Sequence, residues 1–252
     1  ILIYPNVQPL DAIGPWEVFS IWQKILAPSV ELILVSEYAG LVECDSSIVL
    51  QAQVDFSGCD NLDCLIVPGG IGRIEQIHNV RLIEFIQRQS KTCQILASVC
   101  TGAFLLAQAG VLKGQVVTSY WRSIKELTES FEVQIVEQRV VKSGKIWTAG
   151  GVTSGIDLAL ELINEVAGKD SMDKVRLLLE YFPTSAHNCQ LDLANDLPNY
   201  GSNQISRTDL PKYITDSICN LIAVLQLSLM CRAYRVFVYV TLNVNSMKIL
   251  IQ

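Results

Sequence analysis

Residues 95–110 read ILASVCTGAFLLAQAG, and this stretch decides the fold. Its first five residues form an apolar run typical of a buried strand, and a helical pattern begins directly after Cys100 and Thr101. Cys100 is therefore expected on a sharp turn from a strand into a helix, the arrangement of a nucleophile elbow. Backbone amides at a helix N-terminus can lower a thiol pKa and stabilise a developing anion. The alternative is a buried cysteine that packs as a small hydrophobic side chain.

Strands and helices are predicted to alternate through residues 1–183. The predicted strands are residues 1–4, 30–35, 47–53, 64–67, 95–99, 116–118, 134–141 and 145–148. The predicted helices are residues 12–24, 79–90, 102–109, 121–130, 156–166 and 172–180. Short apolar strands separated by helices indicate a parallel sheet covered on both faces. We therefore expect an α/β fold, a three-layer αβα sandwich with a mostly parallel sheet.

Two turns that could hold a ligand follow predicted strands, namely Pro68-Gly69-Gly70 and Cys100-Thr101. Ligands of parallel sheets bind beyond the carboxyl ends of the strands, so both turns are expected at one edge. If the amides of Gly70 and Thr101 face one point, they form an anion-stabilising hole. The alternative for residues 68–70 is an ordinary tight turn. The glycine-rich residues 150–155 lack the spacing of a phosphate loop and are interpreted as close packing beside the sheet.

A reactive cysteine usually needs an acid or base partner, and histidine is scarce in this chain. His78 precedes a predicted helix, where a surface or capping role is expected, and His187 follows the last clear element. Neither lies at the carboxyl end of a predicted strand. We therefore do not expect a Cys–His hydrolytic dyad.

Carboxylates are the better candidates for that partner. Asp11 lies in the loop after the first strand, and Glu17 lies in the helix that follows. A protonated carboxyl beside a thiolate can donate a proton if burial raises its pKa. The competing roles are an N-cap for Asp11 and a first-turn residue favoured by the helix dipole for Glu17. One acid and one nucleophile are sufficient to add to an unsaturated carbon and to protonate its neighbour.

Composition argues against several classes of function. The net charge of −6 argues against a nucleic-acid surface. The eight cysteines form no C-x-x-C pair and offer no zinc spacing with a histidine, so no metal is expected. Scattered cysteines without a signal peptide suit a reducing cytoplasm. The chain begins at Ile1 inside a strand-like run, so a trimmed N-terminus is expected.

Residues 184–252 are interpreted as an atypical C-terminal extension. They contain no glutamate, and residues 197–209 form a polar linker. The apolar run at residues 217–230 is shorter than the ~20 residues that a membrane span requires, so no membrane association is expected. The run could form a core helix, a dimer-interface helix, an interfacial segment or a stretch of foreign reading frame, and no function is assigned to it.

Four ordered motifs in residues 1–183 resemble the ThiJ/PfpI superfamily. They are LDAIGPWEVF (residues 10–19), PGG (68–70), SVCTG (98–102) and GGVTSGID (150–157). Within that superfamily, the chain looks most like the isonitrile hydratase branch. The resemblance implies a flavodoxin-like domain of the class I glutamine amidotransferase type over residues 1–183, and a homodimer.

The resemblance also implies the roles of three site residues. Cys100 would be the nucleophile, Asp11 would manage proton transfer, and Thr101 would be the third functional residue. The implied reaction is hydration of an isonitrile, R–N≡C, to an N-substituted formamide. The Cys100 thiolate would attack the terminal carbon, and water would release the formamide. The resemblance implies no cofactor, and the only expected partner besides a second copy is a small electrophilic substrate.

Two alternatives stay open. One is glyoxalase-like or deglycase activity on α-oxoaldehydes, for which relatives favour a glutamate beside the cysteine, so that Glu17 would matter more than Asp11. The other is a non-catalytic ligand-sensing domain like those fused to AraC-type transcription regulators, although residues 213–252 show no basic helix-turn-helix. Tyr120 stands where many relatives have the histidine of a Thr-Thr-His-Trp motif, which argues against a protease-like or amidotransferase-like activity.

Overall fold

The computed structural model describes residues 1–183, Asn195 and residues 210–214. Helices are α1 (Pro9–Ile25), α2 (Arg73–Gln76), α3 (Val80–Thr92), α4 (Gly102–Gln108), α5 (Ile124–Ser130), α6 (Ser154–Ala167) and α7 (Lys169–Leu178). Strands are β1 (Val35–Ser36), β2 (Gly40–Glu43), β3 (Val49–Ala52), β4 (Val54–Asp55), β5 (Cys64–Val67), β6 (Ile95–Val99), β7 (Val116–Val117), β8 (Gln134–Ile135), β9 (Val140–Ser143) and β10 (Ile146–Ala149).

The central sheet has the strand order β5-β6-β10-β9, in which β5, β6 and β10 are parallel and β9 is antiparallel to β10. The first residues of the chain extend this sheet beyond β5. The Leu2 N–H donates to the Ile66 carbonyl at 2.9 Å, and the Ile3 N–H donates to the Val35 carbonyl at 2.8 Å. The predicted mostly parallel sheet is therefore confirmed.

Successive residues of the buried strands point into two different cores. In β5, Leu65 and Val67 join the core formed with α3 and α4, whereas Ile66 joins the core formed with α1, α6 and α7. In β6, Leu96 joins the first core and Ala97 the second. Because strand side chains alternate between faces, apolar residues at every position require a helical layer on each side. The predicted three-layer αβα sandwich is confirmed.

The predicted strand at residues 30–35 is reduced to its last residue, Val35, which begins β1. The Leu34 N–H is bound by the Gln53 side-chain oxygen at 2.5 Å, and the Gln53 N–H donates to the Leu34 carbonyl at 2.9 Å. A side chain therefore satisfies the Leu34 amide where a strand neighbour would otherwise do so.

The predicted strand at residues 134–141 divides into β8 and the start of β9. The Gln138 N–H donates to the Val136 carbonyl at 2.9 Å, which turns the chain between the two strands. β8 then pairs with β7, whereas β9 and β10 form an antiparallel hairpin. The predicted strand at residues 47–53 is present as β3, which pairs antiparallel with β2.

Most of the predicted C-terminal extension, including His187 and the apolar run at residues 217–230, lies outside the described residues. Within the described part, every helix is too short or too polar to cross a bilayer.

Candidate active site

Cys100 occupies the predicted elbow, between the end of β6 and the start of α4. Its φ of 58° lies in the left-handed region, which costs a non-glycine residue about 1–3 kcal/mol. Two hydrogen bonds hold it there, because the Cys100 N–H donates to the Ala149 carbonyl at 3.1 Å and to the Gly150 carbonyl at 2.8 Å. The end of β10 therefore fixes the position of the sulfur.

The two turns predicted to share one edge of the sheet are in direct contact. A Cβ at Gly69 would lie 2.5 Å from the Thr101 nitrogen, and a Cβ at Gly102 would lie 2.0 Å from the Val67 carbonyl oxygen. Neither position has space for a side chain. The two glycines are thus required because the β5 turn and the elbow are packed backbone to backbone.

Asp11 lies in the first turn of α1 and is completely buried. It is not the N-cap, a position that Gln8 occupies. One carboxyl oxygen, Oδ2, accepts a hydrogen bond from the Gly69 N–H at 2.9 Å. The other, Oδ1, has no nitrogen or oxygen donor in the part of the chain that the structure describes. Asp11 therefore holds the β5 turn with one of its two carboxyl oxygens.

Burial raises the pKa of Asp11 to about 7, although the Gly69 N–H and a hydrogen bond with the Cys100 side chain both act to lower it. A carboxyl with such a pKa exchanges a proton readily near neutral pH. Asp11 can therefore serve as the acid or base that the sequence predicts beside the cysteine.

Burial, and then the negative charge of Asp11, raises the pKa of the Cys100 thiol above its usual value. The Val152 and Thr101 backbone N–H groups and the Thr101 side chain act in the opposite direction. The backbone amides lower this pKa as expected, but desolvation of the sulfur outweighs them, so the net shift is upward. The resting group is a thiol, and it needs a base to become a nucleophile.

Val152 is a further residue of the candidate site, and the sequence did not reveal it. It lies in the turn between β10 and α6, has a φ of 26°, and directs its N–H toward the Cys100 sulfur. The signal in the sequence is the glycine-rich segment at residues 150–155, for which only close packing was expected. The segment packs closely and also supplies an amide to the Cys100 sulfur.

Arg139 holds both sides of this turn. Its carbonyl accepts a hydrogen bond from the Gly150 N–H at 2.9 Å. Its guanidinium binds Asp157 at 2.5 Å and the Thr153 hydroxyl at 3.0 Å. The segment that carries the Val152 amide is therefore fixed at its beginning, middle and end.

Thr101 is buried beside the sulfur, as expected, but Gly70 has a different role from the predicted one. The Gly70 N–H donates to the Thr101 Oγ1 at 3.0 Å. Since this amide already has an acceptor, Gly70 is not the anion-stabilising donor proposed from the sequence. The Thr101 and Val152 amides act on the sulfur instead.

Glu17 does not join the site. It lies six positions after Asp11 in α1, about 240° around the helix at 100° per residue, and its side chain is exposed. The buried face of α1 carries Asp11, Gly14, Pro15 and Val18 instead. The prediction of Glu17 as an alternative acid beside Cys100 is therefore wrong, because the helical repeat directs its side chain into solvent.

The histidines give the site no partner within the described residues. His78 is exposed in the turn between α2 and α3. Its backbone N–H donates to the Glu75 carbonyl at 3.1 Å. Two residues of the segment after β7 do reach the elbow. The Ser119 Oγ donates to the Cys100 carbonyl at 2.8 Å, and the Tyr120 ring lies against Gly151.

The model of the DJ-1/PfpI family matches residues 1–165, which include the elbow, Asp11 and the Val152 turn. The chain belongs to the DJ-1/PfpI family. Among curated relatives, it is 35% identical over 182 residues to an isonitrile hydratase of Pseudomonas putida, a match that covers 72% of this chain and 77% of the relative.

Other members of the family are also similar. The transcriptional regulator GbdR of Pseudomonas aeruginosa is 31% identical over 45% of this chain, and the match spans only 32% of the regulator. Among solved structures, a ThiJ/PfpI family protein of Pseudomonas syringae superposes with a TM-score of 0.68 at 24% identity, covering 88% of this chain and 84% of that one. Drosophila melanogaster DJ-1beta gives a TM-score of 0.64 at 21% identity, over 71% of this chain and 95% of that one. These structural likenesses establish the fold.

Proposed function

We propose that this protein is a cysteine-dependent hydratase of small electrophiles that converts isonitriles into N-substituted formamides. The observation that carries the proposal is the buried pair of Cys100 and Asp11, whose carboxyl has a pKa raised to about 7. The similarity to a hydratase of that class over 77% of the relative's length supports it. Thr101 would assist by stabilising the sulfur anion.

The first step would join the substrate to sulfur. Ionised Asp11 accepts the Cys100 proton, and the sulfur lone pair attacks the terminal carbon of R–N≡C. The same proton then passes from Asp11 to that carbon, which gives a thioimidate, R–N=CH–S–Cys100. The Val152 and Thr101 amides stabilise the thiolate during the attack. The step adds the S–H bond across one carbon and requires neither metal nor redox chemistry.

The second step would release the product. Asp11 takes a proton from water while the water oxygen attacks the thioimidate carbon. The C–S bond of the resulting tetrahedral intermediate then breaks. The two protons of the water end on the nitrogen and on the Cys100 sulfur, and the formamide R–NH–CHO leaves. The sum is one isonitrile and one water converted to one formamide, with the enzyme regenerated.

Formamide production from cyclohexyl isocyanide tests the proposal directly. The wild type is expected to turn over, Cys100→Ala to be inactive, and Asp11→Asn to be strongly impaired at neutral pH. Mass spectrometry of the quenched reaction should show the thioimidate adduct on Cys100. Turnover that survives loss of Cys100 would overturn the proposal.

The two other functions predicted from the sequence give different outcomes in the same assay. A glyoxalase-like or deglycase-like enzyme would turn over methylglyoxal and leave the isocyanide unchanged. A sensing domain, as in the regulators that share 31% identity, would turn over neither. A homodimer, a cytoplasmic location and the lack of a cofactor stay predictions.

A further inference from the structure

A short segment beyond the family match reaches the site. Residues 210–214 lie well past residue 165, where the family model ends. Pro211 is buried, and the Lys212 N–H donates to the Glu137 carboxylate at 3.0 Å. The next residue, Tyr213, lies against Gly150, since a Cβ built on Gly150 would be 2.8 Å from the phenol oxygen. This segment is thus anchored beside the end of β10.

Two tyrosines cover the two glycines that follow β10. Tyr213 lies on Gly150, and the Tyr120 ring lies on Gly151, where a Cβ would be 2.8 Å from the ring carbon Cδ2. Gly150 is also the residue whose carbonyl accepts the Cys100 N–H. The two rings therefore occupy the volume that side chains at residues 150 and 151 would fill, next to the nucleophile.

The electrostatics agree with this placement. Burial raises the pKa of Tyr213, and the charges of Cys100 and Tyr120 raise it further, while Arg139 lowers it. Burial also raises the pKa of Tyr120, with a smaller effect from Cys100 in the same direction. Each phenol is thus near enough for the Cys100 sulfur to affect its pKa, and both phenols stay neutral at neutral pH.

We propose that Tyr120 and Tyr213 form an aromatic wall of the substrate site, and that Tyr213 limits the size of the substituent R of the isonitrile. The inference rests on the proposed function. The linear R–N≡C group brings its terminal carbon to sulfur and carries R away from Cys100. Aromatic rings beside the nucleophile offer an apolar surface to R. Substrates with a compact alkyl or aryl substituent fit such a wall.

A size series of isonitriles tests the role of Tyr213. Ethyl, cyclohexyl and adamantyl isocyanide are compared in wild type, Tyr213→Phe and Tyr213→Ala. Tyr213→Ala is expected to raise kcat/KM for the adamantyl compound relative to the ethyl compound by about tenfold, within the range for one changed pocket contact. Tyr213→Phe keeps the ring and should keep the wild-type ratio. The exposed Tyr38 provides a matched control, as Tyr38→Ala.

A second measurement needs no hydratase activity. Alkylation of Cys100 by iodoacetamide and by a bulky pyrene maleimide is followed by peptide mass spectrometry. Tyr213→Ala is expected to accelerate alkylation by the bulky reagent about tenfold more than alkylation by the small one. If labelling shows this selectivity and no isonitrile reacts, the wall stands and the proposed function fails. An unchanged size preference in the labelling of a folded Tyr213→Ala variant overturns the wall.

Discussion

The negative charge of Asp11 raises the pKa of the Cys100 thiol, whereas that thiol lowers the pKa of Asp11 as a hydrogen-bond partner. The two groups therefore titrate as a pair. Between a pH of about 7 and the raised pKa of the thiol, the pair holds one proton. In the proposed reaction, this is the proton that moves from sulfur to the substrate carbon.

The pH profile of the reaction should follow the carboxyl of this pair. Below a pH of about 7, Asp11 is protonated and cannot accept the thiol proton. We expect kcat/KM to fall about tenfold per pH unit below that point, as for loss of one essential base. Asp11→Asn should lose this limb and gain activity only at high pH, where the thiol ionises by itself. A wild-type profile that is flat from pH 5 to pH 8 would contradict the assignment.

Stability should depend on pH through the same carboxyl. The folded pKa of Asp11 is about 7 and its model value is 3.8, so the folded state binds the proton more tightly. The free energy of unfolding therefore falls between these two pH values and is lowest above pH 7, by on the order of 4 kcal/mol for about three pKa units. Asp11→Asn removes this cost, so its advantage in urea unfolding should be larger at pH 8 than at pH 4.

Asp55 offers a control of opposite sign for that experiment. A hydrogen bond from the Ser57 side chain, followed by the Gly58 N–H, lowers the pKa of Asp55. Its contribution is present at neutral pH and is lost as the pH falls through the lowered value. Asp55→Asn should therefore destabilise the protein at pH 8. An equal response of both variants to pH would refute the assignment to Asp11.

Removal of the Thr101 hydroxyl should weaken both fold and site. The buried Gly70 N–H donates to this hydroxyl, and Thr101→Val leaves it without that acceptor. An unsatisfied buried amide costs about 1–3 kcal/mol, measurable by urea unfolding. The rate of alkylation of Cys100 should fall as well, since the hydroxyl lowers the thiol pKa. Thr101→Ser keeps the oxygen and should retain most of the stability.

Gly102 should tolerate no side chain. The Cβ of Gly102→Ala would lie 2.0 Å from the Val67 carbonyl oxygen, so β5 and the elbow must separate. We expect a loss of about 3 kcal/mol or more, at the upper end for overpacking. Gly58→Ala is the matched control, because its Cβ would approach its neighbours only to 3.5 Å. Equal thermal stability of the two variants would show that the turns are not pressed together.

Sequence patterns predicted the helices and strands that have a clear periodicity of apolar residues and clear ends. β6, the elbow and α4 follow from residues 95–110, because an apolar run changes there to helical spacing at one point. The strand predicted at residues 30–35 is nearly absent, since the Gln53 side chain binds the Leu34 amide. No local pattern reveals such a partner 19 residues away in the chain.

In the site, too, local sequence patterns predicted some residues, whereas others depend on contacts between distant parts of the chain. Cys100 and Thr101 were predictable because they are adjacent to the helix start. The choice of Asp11 over Glu17 depends on which face of α1 is buried, and that is set by α6. The Val152 amide and Tyr213 were not predicted, because a backbone direction and a contact from the far C-terminal region leave no local signal.

The sequence by itself determined the fold class and the elbow, and it named the candidate groups of the site, because local patterns of residues carry each of these. Only the tertiary structure decided the state of Cys100. Its burial and the nearby charge of Asp11 outweigh the amides that lower its pKa, so the resting group is a thiol. Desolvation depends on every layer packed around the sulfur, so this property belongs to the fold as a whole.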